Sequence, residues 1–171
     1  DKLLNDVSND DKFMLLYYYV PALFSFENKI SEAKKSFREL ENYYLSFDEE
    51  SKNDLLLDFS TLLETIGNFL ESHKRTRDAI YFWEKGISYN PNFANFYIKL
   101  STTYNSGLGV AQNNNKAFDY LKKGEKLNNP LILSNIGYAH EFGYGVEQSF
   151  EKAKEYYEKV VQLENNTFGF Y

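Results

Sequence analysis

The sequence predicts an all-α fold made of stacked helix pairs, on three observations. Ten residues between Gly107 and Asn129 recur 36 positions later, between Gly143 and Asn165. A repeat period in this range is typical of arrays of helical pairs. Small and large residues also recur with helical spacing, and no long segment alternates polar and apolar residues as a strand would. A chain of 171 residues has room for about four to five such repeats.

The second helix of each predicted pair is marked by an alanine, a large residue four positions on, and a third residue three positions further. Steps of four and three place these side chains on one helical face, where the small residue lets a neighbouring helix approach. The pattern occurs at Ala33, Phe37 and Leu40; at Ala79, Trp83 and Gly86; at Ala117, Leu121 and Gly124; and at Ala153, Tyr157 and Val160.

A first helix is predicted before each of these second helices, at residues 11–26, 52–72, 92–106 and 130–142. Pro91 and Pro130 are expected in the first turns of the last two, where the missing N–H of proline costs nothing. Gly107 and Gly143 are expected to end the same two helices in the left-handed conformation. The valine three residues after each glycine is expected to turn inward and cover the pair.

Composition narrows the classes of function. The net charge of −6 disfavours a nucleic-acid ligand, because such binding needs a concentrated basic surface. The absence of cysteine excludes disulfides and thiolate chemistry and leaves the compartment open. The longest uncharged run, residues 13–26, is shorter than the about 20 residues that cross a membrane. The sequence begins with Asp1, and we expect it to be part of a longer polypeptide.

No convergent set of catalytic or metal-binding residues is found in the sequence. His73 and His140 are far apart, and His140 stands where the other copy of the repeat has Tyr104, which favours a packing role. The basic residues beside His73 are expected in a solvated turn. The Gly-x-Gly elements lack the preceding strand and the third glycine of a phosphate-binding loop. We therefore expect no catalytic residue, no metal and no cofactor.

Two groups of residues resemble known helical repeat families. One group is similar to a tetratricopeptide repeat, with small and large residues at that family's intervals and a closing proline: Gly67, Leu70, Ala79, Trp83, Gly86 and Pro91. The other resembles Sel-one-like repeats: Gly107-Leu108-Gly109-Val110 with Lys116-Ala117 and Tyr120, and Gly143-Tyr144-Gly145-Val146 with Lys152-Ala153 and Tyr156-Tyr157. Gly124 and Val160 depart from the alanine usual in that pattern.

The resemblance implies a right-handed solenoid of about four antiparallel helix pairs, forming one domain over residues 1–171. The first helix of each pair would line a concave groove. The implied units are a degenerate pair at 11–47, a tetratricopeptide-like repeat at 60–93, and Sel-one-like repeats at 94–129 and 130–166, with the acidic stretch 48–54 as a link. Similar proteins act as adaptors, assembly scaffolds or binding modules, and several bacterial ones serve host interaction or secretion.

Projecting the first helices outward gives candidate groove residues: Tyr18 and Ala22; Thr61, Glu64, Asn68 and Glu71; Asn95, Ile98, Thr102 and Asn105; and Leu131, Ser134, Tyr138 and Phe142. The glutamates beside Asn68 disfavour a clamp for C-terminal carboxylates. The mixture of aromatic, amide and acidic groups favours an apolar or basic peptide, or a helix. Tyr138 and Phe142 are equally expected to contact a ligand or to pack between repeats, because aromatic rings serve both roles.

The sequence thus predicts a non-enzymatic module that binds a protein or peptide, without nucleic acid and without membrane insertion by this segment. Two alternatives stay open. In the first, the chain is a structural repeat segment of a larger protein. In the second, it inhibits a partner enzyme through an acidic groove, as an immunity protein does. The richness in Asn, Lys and Tyr is compatible with a bacterial source of AT-rich genome.

Overall fold

The computed structural model describes residues 8–26 and 29–168, which form eight α-helices and no strand. The all-α prediction is confirmed. The helices are α1 (Asn9–Phe24), α2 (Ile30–Ser46), α3 (Glu49–Ser72), α4 (Thr76–Tyr89), α5 (Ala94–Ser106), α6 (Asn114–Gly124), α7 (Pro130–Phe142) and α8 (Phe150–Phe168). A short 3₁₀ turn, Glu125–Leu127, follows α6.

The helices form four antiparallel pairs that stack into the predicted solenoid. The pairs are α1 with α2, α3 with α4, α5 with α6, and α7 with α8. The connection within each pair is short, so the second helix runs back alongside the first in the opposite direction. Successive pairs touch where α4 meets α5 and where α6 meets α7, and the first helices α1 and α3, and α5 and α7, are also neighbours. Each pair therefore buries one apolar face against the next.

Several helices start at a polar side chain that accepts a hydrogen bond from the first turn. The Asn129 Oδ1 accepts from the Leu131 N–H at 3.0 Å and so begins α7. The Asp48 Oδ1 does the same for α3, from the Ser51 N–H at 2.8 Å. The prediction that residues 48–54 form a link was therefore wrong. Carboxylates are stabilised at a helix N-terminus, and this acidic stretch supplies the cap and first turns of α3.

Pro91 and Pro130 mark different structures. Pro130 is the first residue of α7, as predicted. The same prediction for Pro91 was wrong, since it lies in a turn before α5. The buried side chain of Asn90 holds this turn, because its Nδ2 donates to Ser60 Oγ at 3.0 Å and its Oδ1 accepts from the Asn92 N–H at 3.1 Å. The turn is thus tied to α3 before α5 begins.

Aromatic rings build much of the core between the first two pairs. Phe59 of α3 stacks on Tyr44 of α2 with ring centroids 4.2 Å apart. Phe37 of α2 meets Phe82 of α4 edge-on at 4.9 Å, and Phe13 of α1 lies 6.4 Å from Phe59. All five rings are buried. The irregular first pair is therefore fixed to the second by large rings, which are worth more than their buried area alone.

The alanine-large-small pattern is fully buried on α2, α4 and α6 but not on α8. On α4, Trp83 lies so close to Gly67 of α3 that a Cβ there would be 2.2 Å from the indole Nε1. On α8, Ala153 is buried, whereas Tyr157 and Val160 are half-exposed. Among the described helices, none covers α8 as α5 covers α4 and α7 covers α6.

The two glycine connectors join their helices in the same way. Gly107 and Gly143 end α5 and α7 in the left-handed conformation, at φ 69° and 71°, as predicted. The second glycine of the α7–α8 connector, Gly145, also packs on the preceding pair. A Cβ on Gly145 would lie 2.0 Å from the carbonyl oxygen of Asn114, at the start of α6. Each connector thus also forms part of the junction between pairs, since a Cβ on Gly109 would lie 2.1 Å from the hydroxyl oxygen of Thr76 of α4.

Candidate binding groove

Two groove candidates on α3 are bonded to α5. Glu64 accepts hydrogen bonds from the amide nitrogen of Asn95, at 3.0 Å to Oε1 and 3.1 Å to Oε2. Further along the same helices, Glu71 Oε1 accepts from the Thr103 hydroxyl at 3.0 Å. These carboxylates therefore join two first helices, and the groove candidates Glu64 and Asn95 are brought together as partners of each other.

A small cleft lies between α5, α6 and α7. Its volume is about 210 Å³, and its wall includes the candidates Thr102, Asn105 and Tyr138, together with Asn135 and Tyr144. Within residues 8–26 and 29–168, the side chains of Thr102, Asn105 and Asn135 have no hydrogen-bond partner. The cleft therefore presents two amides and a hydroxyl that are not used by the fold.

Two exposed aromatic rings, Tyr138 and Tyr144, line this cleft, and a third, Phe142, lies against both. Tyr138 lies 4.6 Å from Phe142 and 5.7 Å from Tyr144, and the Phe142 and Tyr144 rings are 5.9 Å apart. Between 39% and 49% of each residue is exposed, although exposed aromatic groups are costly in water. We call Tyr138, Phe142 and Tyr144 the aromatic trio.

Asn135 and Tyr144 were not predicted from the sequence. Asn135 lies at the edge of the outward face of α7 and is half-buried. Tyr144 belongs to a connector, whose path no helical projection describes. A signal for it was present, because the equivalent residue one repeat earlier, Leu108, is also large and is 72% exposed.

The other candidates are spread along the first helices. Tyr18 is 70% exposed on α1, contacts the ring of Tyr17 at 5.3 Å, and is not part of the cleft. Asn68 is half-buried, and its Oδ1 has no hydrogen-bond partner among the described residues. Of the remaining candidates, Ala22, Thr61 and Leu131 are exposed, and Ile98 and Ser134 are half-buried. The structure therefore brings Thr102, Asn105 and Tyr138 together in the cleft and leaves Tyr18 apart.

The histidines have packing roles. His140 is 5% exposed and stacks on Tyr156 at 5.9 Å, just as Tyr104 stacks on Tyr120 at 5.9 Å one repeat earlier. His73 stacks on the ring of Phe69 of α3 at 4.0 Å. The described part of the chain has no group of three or more His, Asp or Glu residues that could hold a metal. It also has no helix long and apolar enough to cross a membrane.

The α5–α8 region matches a known repeat family. The family model described as "Sel1 repeat" matches residues 94–129 and 133–163. These segments are Sel1 repeats. They cover both glycine connectors and the whole cleft, whereas the tetratricopeptide-like assignment of residues 60–93 and the degenerate pair at 11–47 stay predictions.

Two known proteins are similar to the chain. One is the "Putative ERAD-associated E3 ubiquitin-protein ligase component" of Schizosaccharomyces pombe, 26% identical over 99 residues, which are 57% of this chain and 14% of that protein. The other is a solved Sel1 repeat protein from Oxalobacter formigenes, with a TM-score of 0.51 and 19% identity over 60% of this chain and 43% of that one. The chain thus spans only a small part of the yeast relative and under half of the solved one.

The Sel1 repeats support the coarse functional prediction. Proteins with such repeats generally mediate protein–protein interactions, and the fold is typically non-catalytic. The bacterial source with which the composition is compatible is not shown, since the two similar proteins come from a yeast and a bacterium.

Proposed function

We propose that the chain is a non-enzymatic interaction module that binds an extended peptide segment of a partner protein along α5 and α7. One observation carries the proposal: the unpaired side chains of Thr102, Asn105 and Asn135 lie in one cleft beside the aromatic trio. The solenoid fold leaves such a surface open because helix pairs bury only the faces that they turn to each other.

The chemistry of the cleft fits a peptide. An asparagine amide has a donor and an acceptor side by side, which match the C=O and N–H of one peptide unit. Two such amides and a hydroxyl give direction to an extended chain, while the aromatic trio covers an apolar side chain of the ligand. Aromatic residues at the centre of a binding surface commonly contribute most of its affinity.

The test selects peptides from a random phage-displayed library on the immobilised chain and measures their dissociation constants by fluorescence anisotropy. We expect Asn135→Ala and Tyr138→Ala each to weaken binding by about tenfold or more. Tyr81→Ala is the matched control, since Tyr81 is 54% exposed but lies on the second helix α4. It should bind as the unmodified chain does.

Denaturation of the same variants separates ligand contact from packing. If Tyr138→Ala lowers the unfolding midpoint and leaves peptide affinity unchanged, the trio only packs and the proposal is wrong. A library that yields no binder would favour the structural-segment alternative. The inhibitor alternative requires Lys- or Arg-rich peptides whose binding weakens steeply with salt. The engagement of Glu64 and Glu71 by α5 gives that alternative less support.

A further inference from the structure

The outer face of α8 carries an uncovered stripe of side chains. Phe150, Lys154, Tyr157 and Val161 follow each other in steps of four, three and four, which places them on one side of the helix. Phe150 is 68% exposed and Val161 54%. With Glu141 of α7 they border an open cavity of about 650 Å³. We call these four residues the α8 stripe.

The equivalent face one repeat earlier is covered. Phe118, the counterpart of Lys154, meets the ring of His140 at 5.6 Å, and with Leu121 it lines the cleft where α7 packs. In this fold, the corresponding surface of the second helix α6 is therefore covered by the next helix pair. On α8 that surface is open among the described residues.

Both ends of the α8 stripe are apolar, although its middle is more polar than its counterpart. Phe150 and Val161 stand where the earlier repeat has Asn114 and Glu125. A helix face that contacts water is normally polar, and here two large apolar side chains replace polar ones. Such a surface indicates an interface.

We propose that a second copy of the chain covers the α8 stripe, with the two α8 helices packed antiparallel about a twofold axis. The stripe is complementary to itself in that orientation. Phe150 meets the partner subunit's Val161, and Lys154 meets the partner subunit's Tyr157, because the members of each pair lie equally far from the midpoint of the stripe. Side chains spaced by four, three and four residues form the packing seam between two helices. A twofold contact between identical surfaces is complete with two copies, so the assembly stops at a dimer.

The charges on α8 support this orientation. Lys154 and Glu158 are both well exposed, at 76% and 58% of their side chains, and lie 3.7 Å apart within the helix. In the antiparallel dimer each Lys154 also comes within reach of the partner subunit's Glu158, twice by symmetry. A parallel pairing would instead bring like charges together at each of these positions, which is unfavourable. This interface is separate from the groove and does not depend on the proposed peptide binding.

The first test is the mass in solution, measured by light scattering and sedimentation equilibrium on the full chain. The unmodified chain should be a dimer, and Val161→Glu should raise the dimer dissociation constant by about tenfold or more. Leu45→Glu is the control, an equally exposed apolar residue on α2, and should leave the dimer intact. Lys154→Glu and Glu158→Lys should each weaken the dimer, and the two together should restore it.

The second test fixes the register with introduced cysteines, since the chain has none. A Phe150→Cys/Val161→Cys variant should form disulfide-linked dimers under mild oxidation. The two positions are about 16 Å apart along one helix, so they cannot pair within a chain. Phe150→Cys alone should not cross-link. A monomer at high concentration, larger head-to-tail oligomers, or equal cross-linking by the single variant would each overturn the proposal.

Discussion

The phenol of Tyr120 on α6 donates a hydrogen bond to Glu84 on α4, with 2.5 Å between the two oxygens. The same relationship occurs at the next junction, where Tyr156 of α8 donates to Glu125 at 2.5 Å. At the preceding junction Tyr89 of α4 bonds to Glu41 of α2. A tyrosine–glutamate bond therefore ties each second helix, or the turn that follows it, to the next along the solenoid.

These bonds predict a loss of stability at alkaline pH. Burial, reinforced by the facing carboxylates, raises the pKa of Tyr89 and Tyr120. The same causes raise the pKa of Tyr157, which donates a similar hydrogen bond to Glu141 of α7, to about 12. Because these pKa values lie above those of the unfolded chain, the contribution is complete below about pH 10 and is lost as the pH rises further. We expect the urea midpoint, followed by circular dichroism, to be flat from about pH 7 to 9 and to fall above about pH 10.

Tyr120→Phe checks the cause of this alkaline transition. Removing the phenolic hydroxyl should lower the free energy of unfolding by about 1 kcal/mol near pH 8 and make the loss of stability above pH 10 shallower. Identical slopes in the variant and the unmodified chain would show that Tyr120 does not contribute to the transition.

Substitution of the two connector glycines before α8 should have unequal costs. Both Gly143 and Gly145 have a positive φ, so alanine is strained at either position, by about 1 kcal/mol. A Cβ on Gly143 meets nothing closer than 3.5 Å, whereas on Gly145 it would lie 2.0 Å from the Asn114 carbonyl oxygen. We expect Gly145→Ala to lower the free energy of unfolding by about 1–3 kcal/mol more than Gly143→Ala.

Equal denaturation midpoints for Gly143→Ala and Gly145→Ala would contradict the docking of the connector on α6. The fluorescence of Trp83, the one tryptophan, reports on the α3–α4 pair, so that a loss confined to the Sel1 repeats can be told from unfolding of the whole solenoid.

Features that repeat locally could be predicted from the sequence. Helix spacing, the glycine that ends α5 and the proline that begins α7 each depend on a few neighbouring residues, so their patterns are readable. Pro91 was placed wrongly because its turn is fixed by Asn90 and Ser60, which are 30 positions apart in the chain. Contacts over such distances leave no periodic signal.

For the candidate groove, the outward helix faces could be predicted from the sequence, but not which of their side chains are free to bind a ligand. Helical projection identified outward positions on α5 and α7, but it could not show that Glu64 is bonded to Asn95 or that Tyr144 joins Tyr138. Both facts depend on how neighbouring helices and a connector lie against each other. Which outward residues stay unpaired is therefore a property of the stacked pairs.

The close contact between Gly137 of α7 and Tyr157 of α8 gives a last prediction. In a helix interior, alanine is favoured over glycine by about 1 kcal/mol, so Gly137→Ala would stabilise an isolated helix. Here the new Cβ would lie 2.8 Å from Tyr157 Cε1, and the ring is held by a 2.7 Å hydrogen bond to Glu141. We therefore expect destabilisation, reaching about 1–3 kcal/mol or more for Gly137→Leu.

A double-mutant cycle tests the assigned contact. Tyr157→Ala removes the obstructing ring, so Gly137→Leu should cost much less in that background, with a coupling of about 1 kcal/mol or more. The measurements belong at protein concentrations where all variants are monomeric, since Tyr157 also lies in the α8 stripe. An unchanged midpoint for Gly137→Leu, or costs that simply add, would refute the packing of α7 on α8 described above.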